Sequence, residues 1–543
     1  MKRRLFSVLA VVLVLTLLAG CGGGSTPPQG GGQSAQQSND EQVDTRPLVF
    51  AAKTEAISLD PHYDDYPYSS IPQWAAYEAL TRHVVKDDGS IETAPLLAKS
   101  WKDDNGARVW TFELKQGIKF SDGVDVDAQA VKFNFDRIAA LKKPPLARIP
   151  AIDKIEVVDK YTVKFTLKNP FAAFPEQLTK GPLMVSPGVK SHEKDGDWGH
   201  AWVDDNSAGT GPYKLDQWVR GQTITLSKNP SYWQGWNGKH FEKLLVKLVK
   251  EPAVQKSLLE TGDAGIADGI STDFVDALKK APGVTIYEGP SVTVLHVMMR
   301  PNRGALKDKK VRQAIAYAFD YKGFVEGVFK GHAGQGHVLP ISSWAYDPSI
   351  PMYTQDLDKA RKLLADAGYP NGGLKFTIMT ISPFGFYQLR EAQILAENLK
   401  KIGIELTIQD VSSAPTLLAA TSKPDEGVDM YLWAHNTSVN DPEDLMRRTY
   451  YSQAAPPVGN NRMFYSNPKV DELLDKAVST TDQNERKKYY VAAQKLIVDD
   501  AVAIYTAQPN AILGTRSVVK GLKFDPYMFN SAPYYYDLYL AKK

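Results

Sequence analysis

Three carboxylates crowd the stretch Asp441-Pro442-Glu443-Asp444. In a closed cleft a carboxylate holds a cation through a charge-assisted hydrogen bond. Left unpaired there it costs several kcal/mol. The local alternative is structural, because Asp-Pro also starts a turn and a helix. Arg390 has the complementary chemistry, a planar guanidinium fork that fits a carboxylate, although Arg390-Glu391 on a helix turn also fits a solvated face. Trp433, after Met430-Tyr431-Leu432, and Trp344, after Leu339-Pro340-Ile341-Ser342-Ser343, offer flat faces that stack on a side chain or a sugar ring. Plain packing competes for both. Of the nine histidines, His332 and His337 are five apart with glycines between, which fits neither helical spacing nor a zinc pattern. A protein-built metal site and a cofactor are therefore not expected. The chain has no Walker A loop, no Gly-x-Ser-x-Gly and no His-Glu-x-x-His, so an enzyme is not expected either.

The only cysteine, Cys21, has a different role. Lys2, Arg3 and Arg4 precede an apolar run from Leu5 to Leu18, and Leu18-Ala19-Gly20-Cys21 closes it with small residues. A charged start, a short apolar core and a small-residue exit make a secretory signal peptide over residues 1–21. The run is shorter than the roughly 20 residues of a membrane-spanning helix. Its last four residues resemble a bacterial lipobox, whose cysteine becomes the lipidated N-terminus. Residues 22–46, rich in Gly, Ser, Gln and Pro, make a flexible tether with a reach on the order of 25–30 Å. The body is thus expected outside the cytoplasm, anchored by lipid. Its 64 basic and 62 acidic residues nearly balance, and no basic block suggests a nucleic-acid partner.

The elements that must position these residues alternate in type. Trp110, Phe112 and Leu114 mark a half-buried strand, and Asp127 can cap a helix from Ala128 to about Ile138. Ile155–Val157 and Val163–Leu167 are strands joined through Asp159-Lys160, and Gly209-Thr210-Gly211-Pro212-Tyr213 is a loop leading to a strand at Thr223–Leu226. Farther on, Lys375–Thr380 is a strand. Leu389, Ala392, Leu395, Ala396, Leu399 and Ile402 then share one helix face. Gly403 suits the helix C-cap, and Ile404, Leu406 and Ile408 alternate as a strand. That strand–helix–strand unit implies a parallel pair with a right-handed crossover. Asn467-Pro468 starts another helix. Two α/β lobes with a ligand crevice between them follow from this pattern.

Several runs then match, in order, the signature of family 5 extracellular solute-binding proteins, the peptide- and nickel-binding receptors of ABC importers. They are Pro95-Leu96-Leu97-Ala98-Lys99-Ser100-Trp101, Trp110 to Gly123, Gly209 to Tyr213 and Asn229-Pro230-Ser231-Tyr232-Trp233. Val311 to Asp320, Ala360 to Tyr369 and Asp441-Pro442 continue the match. The resemblance implies a periplasmic-binding-protein-like α/β fold. Lobe I would span 47–302 with an inserted subdomain at about 85–208, lobe II would span 303–508, and 509–543 would return to lobe I. The hinge would lie near Arg300–Arg303 and Gln508–Asn510. Asp441 would hold a peptide's α-ammonium, rejecting ligands without an amine, and Arg390 lies near where dipeptide-binding relatives hold the ligand carboxylate. Trp344 sits in a loop similar to a pocket-lining segment of the family, and Trp433 at a strand end facing the cleft. The implied function is that of a monomeric receptor delivering di- or oligopeptides to a membrane permease. Oligosaccharides or a nickel chelate are the alternative ligands, and a ligand-sensing surface receptor is the alternative role.

Overall fold

The computed structural model describes residues 46–381, 386–528 and 533–542; the signal segment, Cys21 and nearly all of the tether lie outside them. Alternation builds the first small sheet. Trp110, Phe112 and Leu114 of the strand Val109–Leu114 are buried. That strand pairs antiparallel with Ala98–Asp103 and Thr162–Leu167, and Ile152–Asp159 completes four strands. Asp127 caps the helix Ala128–Leu141 by accepting the Ala130 amide at 2.9 Å. The helix then drops Phe135 onto Phe165, ring centroids 4.8 Å apart.

The loop Gly209-Thr210-Gly211 needs its glycines, because it passes against the end of the helix Ser70–Ala76. A Cβ on Gly209 would sit 2.1 Å from the Ala76 carbonyl oxygen, and one on Gly211 2.5 Å from that of Ala75. After it comes a strand the periodicity does not reveal, Tyr213–Val219, which pairs with Thr223–Lys228. It forms the outer edge of the large sheet, so its side chains do not alternate cleanly between core and water.

In the second half, the strand Lys375–Ile381 and the strand Glu405–Val411 pair parallel along their whole lengths, with the helix Phe386–Lys400 between them. Ala392, Leu395 and Leu399 are buried from that helix. Gly403, at φ +77°, turns the chain where a side chain would be strained. Asn467 caps the helix Pro468–Ser479 through the Lys469 amide at 3.1 Å.

The buried side chains divide into one large core drawn from 295–507 and a set of cores drawn from 48–278 and 512–540. One strand serves both. The long strand Ala503–Arg516 pairs through Ala503–Ala507 with Thr293–Met299, then through Asn510–Arg516 with Val284–Pro290. The chain thus passes between the cores at two places, Pro290 to Thr293 and Gln508 to Asn510. Thr293–Met299, on the first-lobe side of the boundary expected from sequence, pairs with Met430–Asn436 and packs in the second core.

Candidate functional site

Asp441 is the N-cap of the helix Pro442–Tyr450, accepting the Glu443 amide at 3.0 Å. It is 5% exposed. Arg486, from the helix Gln483–Asp499, donates to both its oxygens at 2.7 and 2.8 Å. Burial works against both charges, but the Asp441 carboxylate outweighs it and holds the Arg486 guanidinium firmly protonated. Trp344 lies against this pair. The Arg486 guanidinium carbon is 5.3 Å from its ring centroid, and its Nε1 donates to the Asn440 carbonyl at 2.9 Å. Two residues expected to touch ligand are therefore brought together, and both are engaged within the second core. Glu443 is likewise taken, by Arg447 and by the Tyr490 hydroxyl at 2.8 Å.

The neighbour of Asp441 makes the contact between the cores. The Asn440 amide donates to Glu176 Oε1, and its Nδ2 donates to the Ile91 carbonyl at 3.0 Å. Glu176, in the short helix Phe174–Gln177, is gripped by His83 Nε2 at 2.7 Å, while His83 Nδ1 lies 3.1 Å from Asp525. Burial alone would lower the His83 pKa; the Glu176 and Asp525 carboxylates overcome it and push it up to about 9. Burial works against the Asp525 carboxylate, and an imidazolium so placed outweighs it and holds the Asp525 carboxyl below its ordinary range. A second contact joins the cores where the Ala172 amide donates to the Val478 carbonyl at 2.9 Å. Periodicity gives no hint of His83, Glu176 or Asp525 as partners, because they come from three distant segments.

In open α/β sheets ligands sit outside the carboxyl ends of parallel strands. Here Leu48–Ala52 runs parallel to Ile266–Ala267 and Lys243–Leu248, and the residues just past the ends include Lys53 and Asp268. Asp268 is 8% exposed and accepts the Lys53 amide at 2.9 Å. It lines a cavity of about 280 Å³ together with Phe50, Ile71, His83, Leu513 and Phe524.

The remaining expected residues stand elsewhere. Arg390 is exposed on its helix, with Nη1 3.5 Å from Gln393 Oε1. Trp433 lies within the strand Met430–Asn436, opposite His296, half-buried against the second core. His296 and His435 touch through their Nδ1 atoms at 2.8 Å, and burial pushes both pKa values down, that of His296 to about 3. His332 pairs with Glu288 at 2.7 Å, and His337 packs edge-on to Tyr346. No group of three or more metal-ligating side chains forms among the described residues.

Residues 92–457 match the family described as bacterial extracellular solute-binding proteins, family 5 Middle, and the chain belongs to that family. It is 33% identical over 485 residues to the probable D,D-dipeptide-binding periplasmic protein DdpA of Escherichia coli strain K12, covering 88% of this chain and 92% of that one. To the glutathione-binding protein GsiB of the same strain it is 30% identical over 459 residues, covering 82% and 87%. It superposes with a TM-score of 0.74 on the periplasmic binding protein DppA of Helicobacter pylori in complex with the peptide STSA. That match is 26% identical and covers 91% of this chain and 98% of that one. The mixed α/β, periplasmic-binding-protein fold expected from the sequence is the fold the chain has. These relatives are named as binding proteins. No helix among the described residues is long and apolar enough to cross a membrane.

Proposed function

We propose that this chain is the extracytoplasmic receptor of an ABC importer, capturing a di- or oligopeptide between two lobes and passing it to a membrane permease. Cys21 carries the lipid that anchors it, the tether gives it reach, and it works as a monomer. The partner's ATPase drives import, so the receptor needs only to bind and release.

The observation that carries this reading is the double passage between the cores. A body joined at Pro290–Thr293 and Gln508–Asn510, with a shared strand between, is built for hinge closure. The Asn440–Glu176 contact then marks the closed form, lobe II resting on lobe I. In this reading Asp441 acts through Asn440: its bond to Arg486 fixes the start of the helix from which Asn440 reaches across. Trp344 buttresses the same turn.

Calorimetry on the purified protein, refolded to strip carried-over ligand, tests it. The panel holds di- to pentapeptides, xylo- and gluco-oligosaccharides, and nickel with histidine. Peptides should bind, and at 100 times the dissociation constant should add about 2.7 kcal/mol of stability. Binding of sugars or the nickel chelate alone would overturn the peptide reading. Steady turnover of any ligand would overturn the receptor reading itself.

A further inference from the structure

The charged residues around the 280 Å³ cavity are paired, with one exception. Arg82 meets Asp537 at 3.3 Å, His83 meets Asp525 at 3.1 Å, and Lys523 reaches Asp87 at 3.2 Å. Asp268 has no such partner among the described residues. Its bonds come from neutral donors, the Lys53 amide and the Gln255 side chain, and the Lys53 ammonium acts on it only from beyond contact distance. Burial pushes its pKa up, and the Lys53 ammonium, which makes no hydrogen bond to it, pulls it partly back. An arriving ammonium would complete it with a charge-assisted hydrogen bond.

The rest of the cavity says what the ammonium is attached to. Phe50, Ile71, Leu513, Phe524 and Leu538 make an apolar wall between the large sheet and the C-terminal segment, and exposed Lys523 and Asp537 stand at the rim. The volume falls just below the roughly 300–1,000 Å³ of small-molecule pockets. That leaves space for one residue with its side chain, and too little for an extended peptide.

We infer that Asp268 receives the ligand's ammonium group and that the apolar side chain beside that group fills this cavity. The inference rests on the peptide-receptor reading. It also separates the two buried carboxylates: Asp441 has its cation in contact, Arg486 at 2.7 Å, whereas no cation among the described residues is in contact with Asp268. The ammonium could be an N-terminus or a lysine side chain, so the probes are Phe-Ala, N-acetyl-Phe-Ala and N-acetyl-Lys-Ala.

Titration calorimetry on the wild type and on Asp268→Asn decides it. Asparagine keeps an oxygen for the Lys53 amide and removes the charge. Acetylation should weaken Phe-Ala at least tenfold in the wild type and less than threefold in Asp268→Asn, because the two changes remove the same interaction. Binding of N-acetyl-Lys-Ala that depends on Asp268 would support the same site with a side-chain ammonium as its guest. Equal affinity of wild type and Asp268→Asn for Phe-Ala would overturn the inference while leaving the receptor reading intact. Should Asp268→Asn not fold, Val84→Phe narrows the cavity from the strand Thr81–Val85; tenfold weaker Phe-Ala binding is expected, and unchanged binding overturns the inference. A wild type that binds no peptide of the wider panel brings down the receptor reading first.

Discussion

Arg486 clasps Asp441 through both guanidinium nitrogens, at 2.7 and 2.8 Å, 45 residues along the chain and almost out of contact with water. A pair this well matched stabilises little relative to apolar packing, but losing one member strands the other as a buried charge. Asp441→Asn should therefore cost about 3–5 kcal/mol, seen as a lower urea midpoint. The joint replacement Asp441→Leu with Arg486→Met should recover most of the loss. Retained stability with lost peptide affinity in Asp441→Asn would instead mark Asp441 as a ligand anchor.

The contact between the cores gives a kinetic prediction. The Asn440 amide rests on Glu176, itself held by a charged His83. A hydrogen bond to a charged group contributes about 1.5–3 kcal/mol. If this contact forms only on closure, Glu176→Ala should speed peptide release by an order of magnitude or more, with a smaller effect on association. Small-angle scattering of the ligand-bound variant should also show a larger radius of gyration. An unchanged release rate would mean that the contact does not hold the lobes together.

Trp344 offers a milder test of the same turn. Trp344→Phe keeps the ring under Arg486 and deletes the 2.9 Å bond to the Asn440 carbonyl. The expected cost is about 1 kcal/mol of stability, readable in the urea midpoint, with peptide affinity changed less than threefold. A tenfold affinity loss at unchanged stability would show that the ring touches ligand.

Much of this architecture is written locally. Asp127 and Asn467 announce helices because a cap needs only the residue and the amides just after it. The strand–helix–strand unit from Lys375 to Val411 follows from periodicity alone. The contacts that make the site are of another kind. Nothing near Asp441 in sequence signals Arg486, and nothing near Glu176 signals His83 or Asp525, because tertiary packing brings them together. The first passage between cores was expected near Arg300, but it falls at Pro290–Thr293. Where an apolar strand such as Thr293–Met299 pairs depends on its neighbours in the sheet, and its own alternation does not reveal them. Asp268 gave no signal either, since an aspartate between Ala267 and Gly269 looks like a turn until the cavity beside it is seen.

The last prediction concerns the residue after Arg390. Glu391 is 1% exposed and lies 2.6 Å from the Thr506 hydroxyl, whose oxygen is also 3.0 Å from the Leu295 carbonyl. A hydroxyl has one proton. If Thr506 gives it to Leu295, the bond to Glu391 needs the proton on the carboxyl, so Glu391 is a neutral acid in the fold. Burial pushes its pKa up to about 8, with Thr506 pulling weakly the other way. An unfolded glutamate titrates near 4.3, so between there and about 8 the folded chain holds a proton that the unfolded chain has released. Stability from this group is full below that window, falls by up to about 1.4 kcal/mol per pH unit through it, and levels off above. His83, raised to about 9, adds a slope of the same sign only above about 6.5. Glu391→Gln keeps a neutral donor in place. Its urea-unfolding stability relative to the wild type should rise steadily between pH 5 and pH 8 and then hold constant. A difference that stays flat across that range would mean that Glu391 is ionised in the fold and that the proton on Thr506 points the other way.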